Sequence, residues 1–317
     1  MFTVKQPPFI VFGIDSAKHY QYPKDCLIIT SSGTKKRGWI DYLNLHNTML
    51  CDQVESNPTM KIVDKIIEQF KNKNFSTVIG IGGGSALDVA KFVAFKLNKK
   101  KILIPTTFGS GSEVTRISVL KIDGKKKSFH DDKLFADTAI IDPYFYNNTN
   151  NVVKKNSLID ALAQCSEGFD SKIGNIYTKI FCKNAFDMLE EGFYNDDPEK
   201  IALGSLFSGL GFGNSSTTLG HALSYVFSNE GVSHGHALAF TTTVAHKFNN
   251  SQFYEKFLKI ITKMDLPKIK LKQNLDEAAE LILTDKKHLD NNPKNISKEK
   301  IIELLEIINS DRSLSLS

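Results

Sequence analysis

The chain has 317 residues and a formal net charge of +5 at pH 7, and 41% of its residues are hydrophobic and 24% charged, which is typical of a soluble globular protein long enough for two domains. No apolar run approaches the roughly 20 residues that cross a bilayer, and the N-terminus lacks the order of a signal peptide. The lysines that carry the positive charge are scattered and not interleaved with aromatic residues, which argues against a nucleic-acid-binding protein.

The first half of the chain alternates strands and helices. Strands are predicted at residues 9–14, 26–30, 77–81 and 102–104, and helices at 34–45, from about Thr59 to Lys73, and from Ser85 onward. Residues 116–142 predict a short β excursion around a lysine-rich turn. This alternation predicts a mostly parallel sheet with helices on both faces and a ligand at the carboxyl ends of the strands.

From Asn151 onward the sequence carries helical periodicity and no convincing strand. Helices are predicted at residues 152–170, 174–192, 198–212, 216–227, 236–249, 252–264, 275–288 and 298–308. The chain is therefore predicted to form an α/β dinucleotide-binding domain over residues 1–148 and an all-helical domain over residues 149–317.

Two glycine-rich loops in the first half predict a seat for a pyrophosphate. The strand 77–81 runs into three glycines and then into a helix that begins at Ser85. Glycine lets backbone N–H groups approach phosphates, and the unpaired N–H groups of a first helical turn favour negative charge. A second small-residue loop, Gly109-Ser110-Gly111-Ser112, follows the strand 102–104. Together the two loops can hold one long anionic cofactor.

The two loops, IGGGSALDVAK and IPTTFGSGSEVT, resemble the signature loops of the iron-containing (group III) alcohol dehydrogenase family. The resemblance implies a Rossmann-like α/β domain followed by a helical domain, in the dehydroquinate synthase-like architecture. It also implies a bound NAD(P)H and a divalent metal. The implied cofactor-binding residues are Ser32, Gly33, Asn57, Gly82, Gly83, Gly84, Ser85, Asp88, Thr106, Thr107, Gly109, Ser110, Ser112 and Lys126.

The segment after strand 26–30 bears on the choice between NADH and NADPH. A carboxylate there accepts a hydrogen bond from the ribose 2′-hydroxyl and repels a 2′-phosphate. The sequence has Ser31, Ser32 and Gly33 at this place, followed by the cations 35–37. NADPH is therefore expected over NADH, with decoration of a surface helix as the alternative explanation of the cations.

A metal site is predicted in the helical half. One carboxylate, Asp160, and two imidazoles, His221 and His234, can hold a divalent metal and leave a position open for substrate. Seen alone, Asp160 could be a surface acid and His221 a core histidine. The resemblance implies that these three are ligands, and that Gln164 stands where the family has its second ligand, a histidine. Both Fe²⁺, which the family name implies, and Zn²⁺ suit these groups.

The same comparison singles out candidate proton donors. Tyr225 stands where many members of the family carry a histidine four residues after the third ligand. Because the reference pKa of a phenol is near ~10, this side chain is a reluctant proton shuttle at neutral pH. His236 and His246 remain as alternative proton sources.

The expected activity is metal-dependent, NAD(P)H-linked reduction of a small aldehyde to a primary alcohol. The departures at Gln164 and Tyr225 resemble the branch that reduces phosphonoacetaldehyde to 2-hydroxyethylphosphonate. Arg116 offers a bidentate guanidinium to a phosphonate, with the lysines 125–127 adding charge; pairing of Arg116 with Glu113 or the pyrophosphate is the alternative.

Other interpretations stay open. The chain could be a general short-chain alcohol dehydrogenase, a glycerol dehydrogenase or dehydroquinate synthase-like enzyme, or a nucleotide-binding protein that has lost catalysis. Four scattered cysteines without a C-x-x-C pair indicate a reduced, cytoplasmic protein. The expected partners are a small aldehyde or alcohol and a second copy of the chain in a homodimer.

Overall fold

A computed structural model of the chain describes residues 1–45 and 48–310. In the first half the strands are β1 (Phe9–Phe12), β2 (Cys26–Ile29), β3 (Met49–Cys51), β4 (Thr77–Gly82), β5 (Lys100–Pro105), β6 (Ile117–Ile122), β7 (Lys125–His130) and β8 (Thr138–Ile141). The helices there are α1 (Ser16–His19), α2 (Ser32–Lys36), α3 (Trp39–Tyr42), α4 (Met60–Phe70), α5 (Gly84–Lys96) and α6 (Tyr144–Asn147).

Six of these strands form one parallel sheet in the order β1-β8-β5-β4-β2-β3. Every residue of β2, β4 and β8 is buried, as expected for strands covered by helices on both faces. The sheet confirms the predicted parallel α/β architecture, and it adds β3, which the sequence did not predict. β6 and β7 form a separate antiparallel hairpin, so the predicted β excursion is this hairpin followed by β8, which joins the main sheet.

The prediction of one continuous helix over residues 34–45 is wrong. This segment is divided into α2 and α3 because Gly38 lies between them with a φ of +72°, a left-handed conformation that ends a helix.

The second half is helical throughout its described length. Its helices are α7 (Asn151–Asp170), α8 (Ile176–Asn195), α9 (Pro198–Phe212), α10 (Leu219–Asn229), α11 (His234–Asn249), α12 (Tyr254–Met264), α13 (Leu275–Leu283), α14 (Lys286–Asn291) and α15 (Lys298–Asn309). The single helix predicted at 275–288 is two helices, because Asp285 caps a new one by accepting from the backbone N–H of His288. Residues 311–317 of the predicted second domain lie outside the described residues.

The two halves meet at the second glycine loop. A Cβ on Gly109 would lie 2.4 Å from the carbonyl oxygen of Ser157 in α7, and one on Gly111 would lie 2.8 Å from Cα of Gly209 in α9. Only glycine permits such backbone contacts. The loop is therefore fixed against the helices that carry the predicted metal ligands. None of the helices in the described part of the chain combines the length and the apolarity that crossing a bilayer requires.

Candidate active site

A cleft of about 560 Å³ lies between the carboxyl ends of the sheet and the helical half. From the α/β half its lining includes Asn57, Gly84, Ser85, Asp88, Thr107, Ser110, Ser112 and Lys126, all of which the sequence marked as cofactor-binding. From the helical half it includes Asp160, Gln164, His221, Tyr225, His234, Lys287 and His288. Ser32 lines an adjoining cavity instead. Gly33, Gly82, Gly83, Thr106 and Gly109 shape α2 and the two loops without lining the cleft.

The two glycine loops touch each other at the rim of this cleft. A Cβ on Gly84 would lie 2.9 Å from both Cβ and Oγ of Ser110, so a side chain there would push the loops apart. Gly82 has a φ of +148°, which side chains disfavour. α5 begins at Gly84, and Gly84 and Ser85 of its first turn line the cleft, where a helix N-terminus favours the negative charge of a pyrophosphate.

Asp88 has a structural role that the sequence did not reveal. Its Oδ1 accepts from Ser112 Oγ at 2.6 Å and its Oδ2 from the N–H of Val119 at 3.0 Å. The fully buried Lys91 lies 3.5 Å from the same carboxylate and donates to the carbonyl oxygens of Ser112 and Ile117. The pair therefore holds the second glycine loop in shape, and Asp88 contributes to the cofactor seat mainly through Ser112.

Three of the predicted metal ligands meet on the opposite wall. Oδ1 of Asp160 lies 3.8 Å from Nε2 of His221 and 3.8 Å from Nε2 of His234, and the three ligand atoms all lie within 4.8 Å of one another. Two atoms that each lie about 2.0–2.2 Å from the same cation are about 3–4 Å from each other, which is close to the separations in this cluster. Burial lowers the pKa of His234 to about 4, so its ring is neutral at pH 7 and has a lone pair to offer.

Gln164 adds a fourth group to this cluster. Its amide nitrogen donates to Oδ1 of Asp160 at 2.9 Å, while its buried Oε1 has no hydrogen-bond partner. A buried oxygen without a partner is unusual and calls for an explanation. Because rotation of the amide exchanges its two ends, the oxygen can face a cation held by Asp160. The residues present therefore fit a divalent metal.

A buried carboxylate behind the cluster orients one of the ligands, and the sequence analysis missed it. Glu167 lies two turns after Asp160 on α7 and hydrogen-bonds Nδ1 of His221, which directs Nε2 toward the cleft. Burial opposes the charge of Glu167, but His221 outweighs it and lowers the pKa of Glu167 to about 2. Such a carboxylate–histidine pair fixes the tautomer and raises the basicity of a metal ligand. The spacing of seven residues from Asp160 is the sequence signal that could have found it.

Tyr225 and a further histidine complete the polar wall. The ring centroid of Tyr225 lies 6.2 Å from that of His234 and 5.8 Å from that of His288. Burial, with Asp285 and Asp160 adding to it, raises the pKa of Tyr225, so the phenol stays protonated at neutral pH and can donate. His288 stacks on His221 with centroids 6.2 Å apart, and its Nδ1 bonds Asp285 at 2.7 Å.

The structure does not bring the remaining predicted residues into the cleft. Nε2 of His236 bonds the carbonyl oxygen of Pro267 at 2.6 Å, outside the cleft lining. His246 is buried beneath the site, where its Nε2 bonds Ser166 Oγ at 2.8 Å. Arg116 pairs with Asp132 at 2.9 Å rather than with Glu113, and lines a second cavity of about 480 Å³ that adjoins the cleft.

Comparison with known sequences identifies two matching family models. The one described as "Iron-containing alcohol dehydrogenase" matches residues 7–143, and the one described as "Fe-containing alcohol dehydrogenase family, C-terminal" matches residues 155–280. The 4-hydroxybutyrate dehydrogenase of Clostridium kluyveri is 32% identical over 209 residues, covering 57% of this chain and 56% of that protein. The chain thus matches little more than half the length of this relative.

Solved structures show the same fold over nearly the whole chain. A crystal structure of an iron containing alcohol dehydrogenase has a TM-score of 0.88 at 24% identity and covers 100% of both chains. The sulfoacetaldehyde reductase from Bifidobacterium kashiwanohense, in complex with NAD+, has a TM-score of 0.87 at 23% identity and covers 98% of this chain and 99% of that one. These similarities confirm the α/β half followed by helices, in the dehydroquinate synthase-like architecture.

Proposed function

Because this chain belongs to the iron-containing alcohol dehydrogenase family, we propose that it catalyses metal-dependent, NAD(P)H-linked reduction of a small aldehyde to a primary alcohol. One observation carries the proposal: the cluster of Asp160, His221 and His234 lines the same cleft as the phosphate seat at Gly84 and Ser85. A divalent metal held by that cluster would polarise the carbonyl oxygen, and the nicotinamide would supply the hydride.

The chain's own residues prepare this reaction. Glu167 bonds Nδ1 of His221, and with a metal bound it would hold the ring in the tautomer that leaves Nε2 free as the ligand atom. Tyr225, a neutral phenol beside His234, lines the cleft next to the cluster and would donate a hydrogen bond to a substrate oxygen held there. The contact between Gly84 and Ser110 keeps the phosphate seat narrow, which sets the position of the nucleotide relative to the metal ligands.

The substrate class follows from the charges around the cleft. Lys126 and Lys287 line it, and Lys287 also lines the cavity of about 480 Å³ together with Arg116. These groups favour an aldehyde with an anionic terminal group, and we propose phosphonoacetaldehyde. The names of two similar proteins, 4-hydroxybutyrate dehydrogenase and sulfoacetaldehyde reductase, also refer to compounds with an anionic end. Since Arg116 is paired with Asp132, the first contact of the anion falls to Lys287.

The test is a reductase assay under anaerobic conditions with protein loaded with Fe²⁺ or Zn²⁺. Loss of nicotinamide absorbance is followed with phosphonoacetaldehyde, sulfoacetaldehyde, succinate semialdehyde and, as a neutral comparison, propanal. We expect net oxidation of the nucleotide, with a lower KM for the anionic aldehydes. No net oxidation with any aldehyde would refute a reductase: a metal-free protein would then point to a nucleotide binder, and a metal-loaded one to chemistry of the dehydroquinate synthase kind, which regenerates its nucleotide.

Lysine variants test the anionic substrate separately. Lys287→Ala should raise the KM for phosphonoacetaldehyde by about tenfold, the value of one charge-assisted hydrogen bond, and leave the KM for propanal nearly unchanged. Lys286→Ala is the matched control, because Lys286 is the preceding lysine on the same helix, is exposed like Lys287, and does not line the cleft. Equal effects of Lys287→Ala on both aldehydes would remove the reason to prefer an anionic substrate.

A further inference from the structure

The cavity that Ser32 lines has a volume of about 570 Å³ and lies beside the cleft, at the carboxyl ends of β2 and β3. It shares Ser56, Asn57 and Pro58 with the cleft, so the two spaces adjoin. Its other lining residues include Ser32, which opens α2, and Asp52, which directly follows β3.

The position of this cavity matches the adenosine end of a dinucleotide. In the sheet, β4 leads to the phosphate seat and is followed by β2 and then β3. A dinucleotide whose pyrophosphate lies at Gly84, as the proposed function requires, can extend along this edge and bring its adenosine ribose to the carboxyl end of β2. The inference below rests on that placement.

The charges in this cavity differ from those that the sequence suggested. Lys35 is bonded to the carboxylate of Asp52, with Nζ 2.8 Å from Oδ2, and this hydrogen bond lowers the pKa of Asp52. The guanidinium of Arg37 lies 5.0 Å from the ring centroid of Trp39 and packs there. Neither Lys35 nor Arg37 lines the cavity, whereas the acids Asp52 and Glu55 do. Among the described residues, the one lysine in the cavity lining, Lys65, donates to Oε1 of Gln53 at 2.8 Å. An acid is thus present beside the cations, supplied by the neighbouring strand rather than by β2.

We propose that Asp52 selects NADH over NADPH. Its carboxylate accepts a hydrogen bond from the ribose 2′-hydroxyl of NADH, and it repels the 2′-phosphate of NADPH. Lys35 pairs with this carboxylate, so the nearest cation of α2 is directed toward Asp52 rather than into the cavity. The sequence led us to expect NADPH over NADH. The proposal reverses that preference, because the sequence did not predict β3 and so did not place Asp52 beside the end of β2.

Equilibrium binding tests the proposal without reliance on turnover. Nicotinamide fluorescence gives the Kd for NADH and for NADPH with the full-length wild type, Asp52→Asn and Asp64→Asn. Asp64 is an exposed carboxylate on α4 that does not line the cavity, so Asp64→Asn removes one negative charge outside the proposed site. Thermal unfolding of each variant establishes that it is folded. Asp52→Ser, a smaller neutral residue, repeats the test independently of the Asn amide.

We expect the wild type to bind NADH more tightly than NADPH, and Asp52→Asn to lower the ratio of the two affinities by about tenfold, as loss of a hydrogen bond to a charged group requires. Asp64→Asn should leave the ratio nearly unchanged. Tighter binding of NADPH by the wild type, or a ratio that neither Asp52 variant changes, would overturn the proposal. Binding of NADH without reduction of any aldehyde would instead overturn the proposed function and leave the selection by Asp52 standing. If the wild type bound neither nucleotide, both would be refuted.

Discussion

Replacement of Glu167 by glutamine tests how much the buried carboxylate contributes to the metal site. Oε2 of Glu167 accepts from His221 Nδ1 and from the N–H of Thr218 at 3.3 Å, and Oε1 accepts from the N–H of Gly220 and from Thr218 Oγ1 at 3.0 Å. A glutamine has one acceptor oxygen and one amide group, so it can satisfy only one of these two sides.

The less costly orientation keeps the oxygen on His221, because the hydroxyl of Thr218 can turn to accept from the amide while the N–H of Gly220 cannot. One buried donor then loses its partner, which costs about 1–3 kcal/mol of the free energy of unfolding. His221 also loses the negative charge behind it, and losses of this kind weaken metal binding by about 10- to 100-fold.

The assay has two parts. Urea unfolding of the metal-free protein measures the change in stability, and competition with a chelator measures the Kd for Zn²⁺. Asp170→Asn is the control, since Asp170 is a carboxylate one turn later on α7 whose histidine neighbour is His246, at 4.0 Å, rather than His221. Unchanged Zn²⁺ affinity in Glu167→Gln, or equal weakening in Asp170→Asn, would refute the role assigned to Glu167.

Three further outcomes are expected. His234→Ala should abolish metal binding and turnover in a folded protein, whereas His236→Ala should retain the metal; retained metal in both, measured by elemental analysis, would contradict the ligand assignment. Lys91→Met should lower the free energy of unfolding by about 3–5 kcal/mol, because it leaves the buried carboxylate of Asp88 without its cation; an unchanged Tm would contradict this. Burial raises the pKa of Asp170 from 3.8 to about 6, so the folded state holds this proton more tightly than the unfolded state and loses stability as pH rises from about 4 to 6. Asp170→Asn should therefore become more stable relative to wild type between pH 4 and pH 7, by about 1–3 kcal/mol in urea unfolding.

The parts of the fold that the sequence predicted well are those in which local pattern and tertiary environment agree. The buried runs of β2 and β4 and the long periodic helices of the second half are such parts. The sequence did not predict β3, because this strand has only three residues, Met49–Cys51, and two of them are half-buried. The break at Gly38 depends on a backbone conformation that a helical pattern does not exclude.

The site divides in a similar way. Asp160, His221 and His234 were found because their spacing resembles a known ligand set, and the structure brings them together. Asp52 and His288 could not be found in this way, because each reaches its place through a strand or short helix whose position is set by tertiary packing. Arg116 was predicted from its chemistry, because a guanidinium suits a phosphonate. In the structure it forms an ion pair with the nearby Asp132 instead.

The backbone contacts of Gly109 and Gly111 determine how the two halves of the molecule can move. At this place main chain of one half touches main chain of the other, at Ser157 and Gly209, with no side chain between them to yield. Two backbones in such contact cannot slide past each other without a clash. Because the two backbones already touch here, the halves cannot come closer at the second glycine loop, and a narrowing of the cleft has to be a rotation about this contact that moves the far end most.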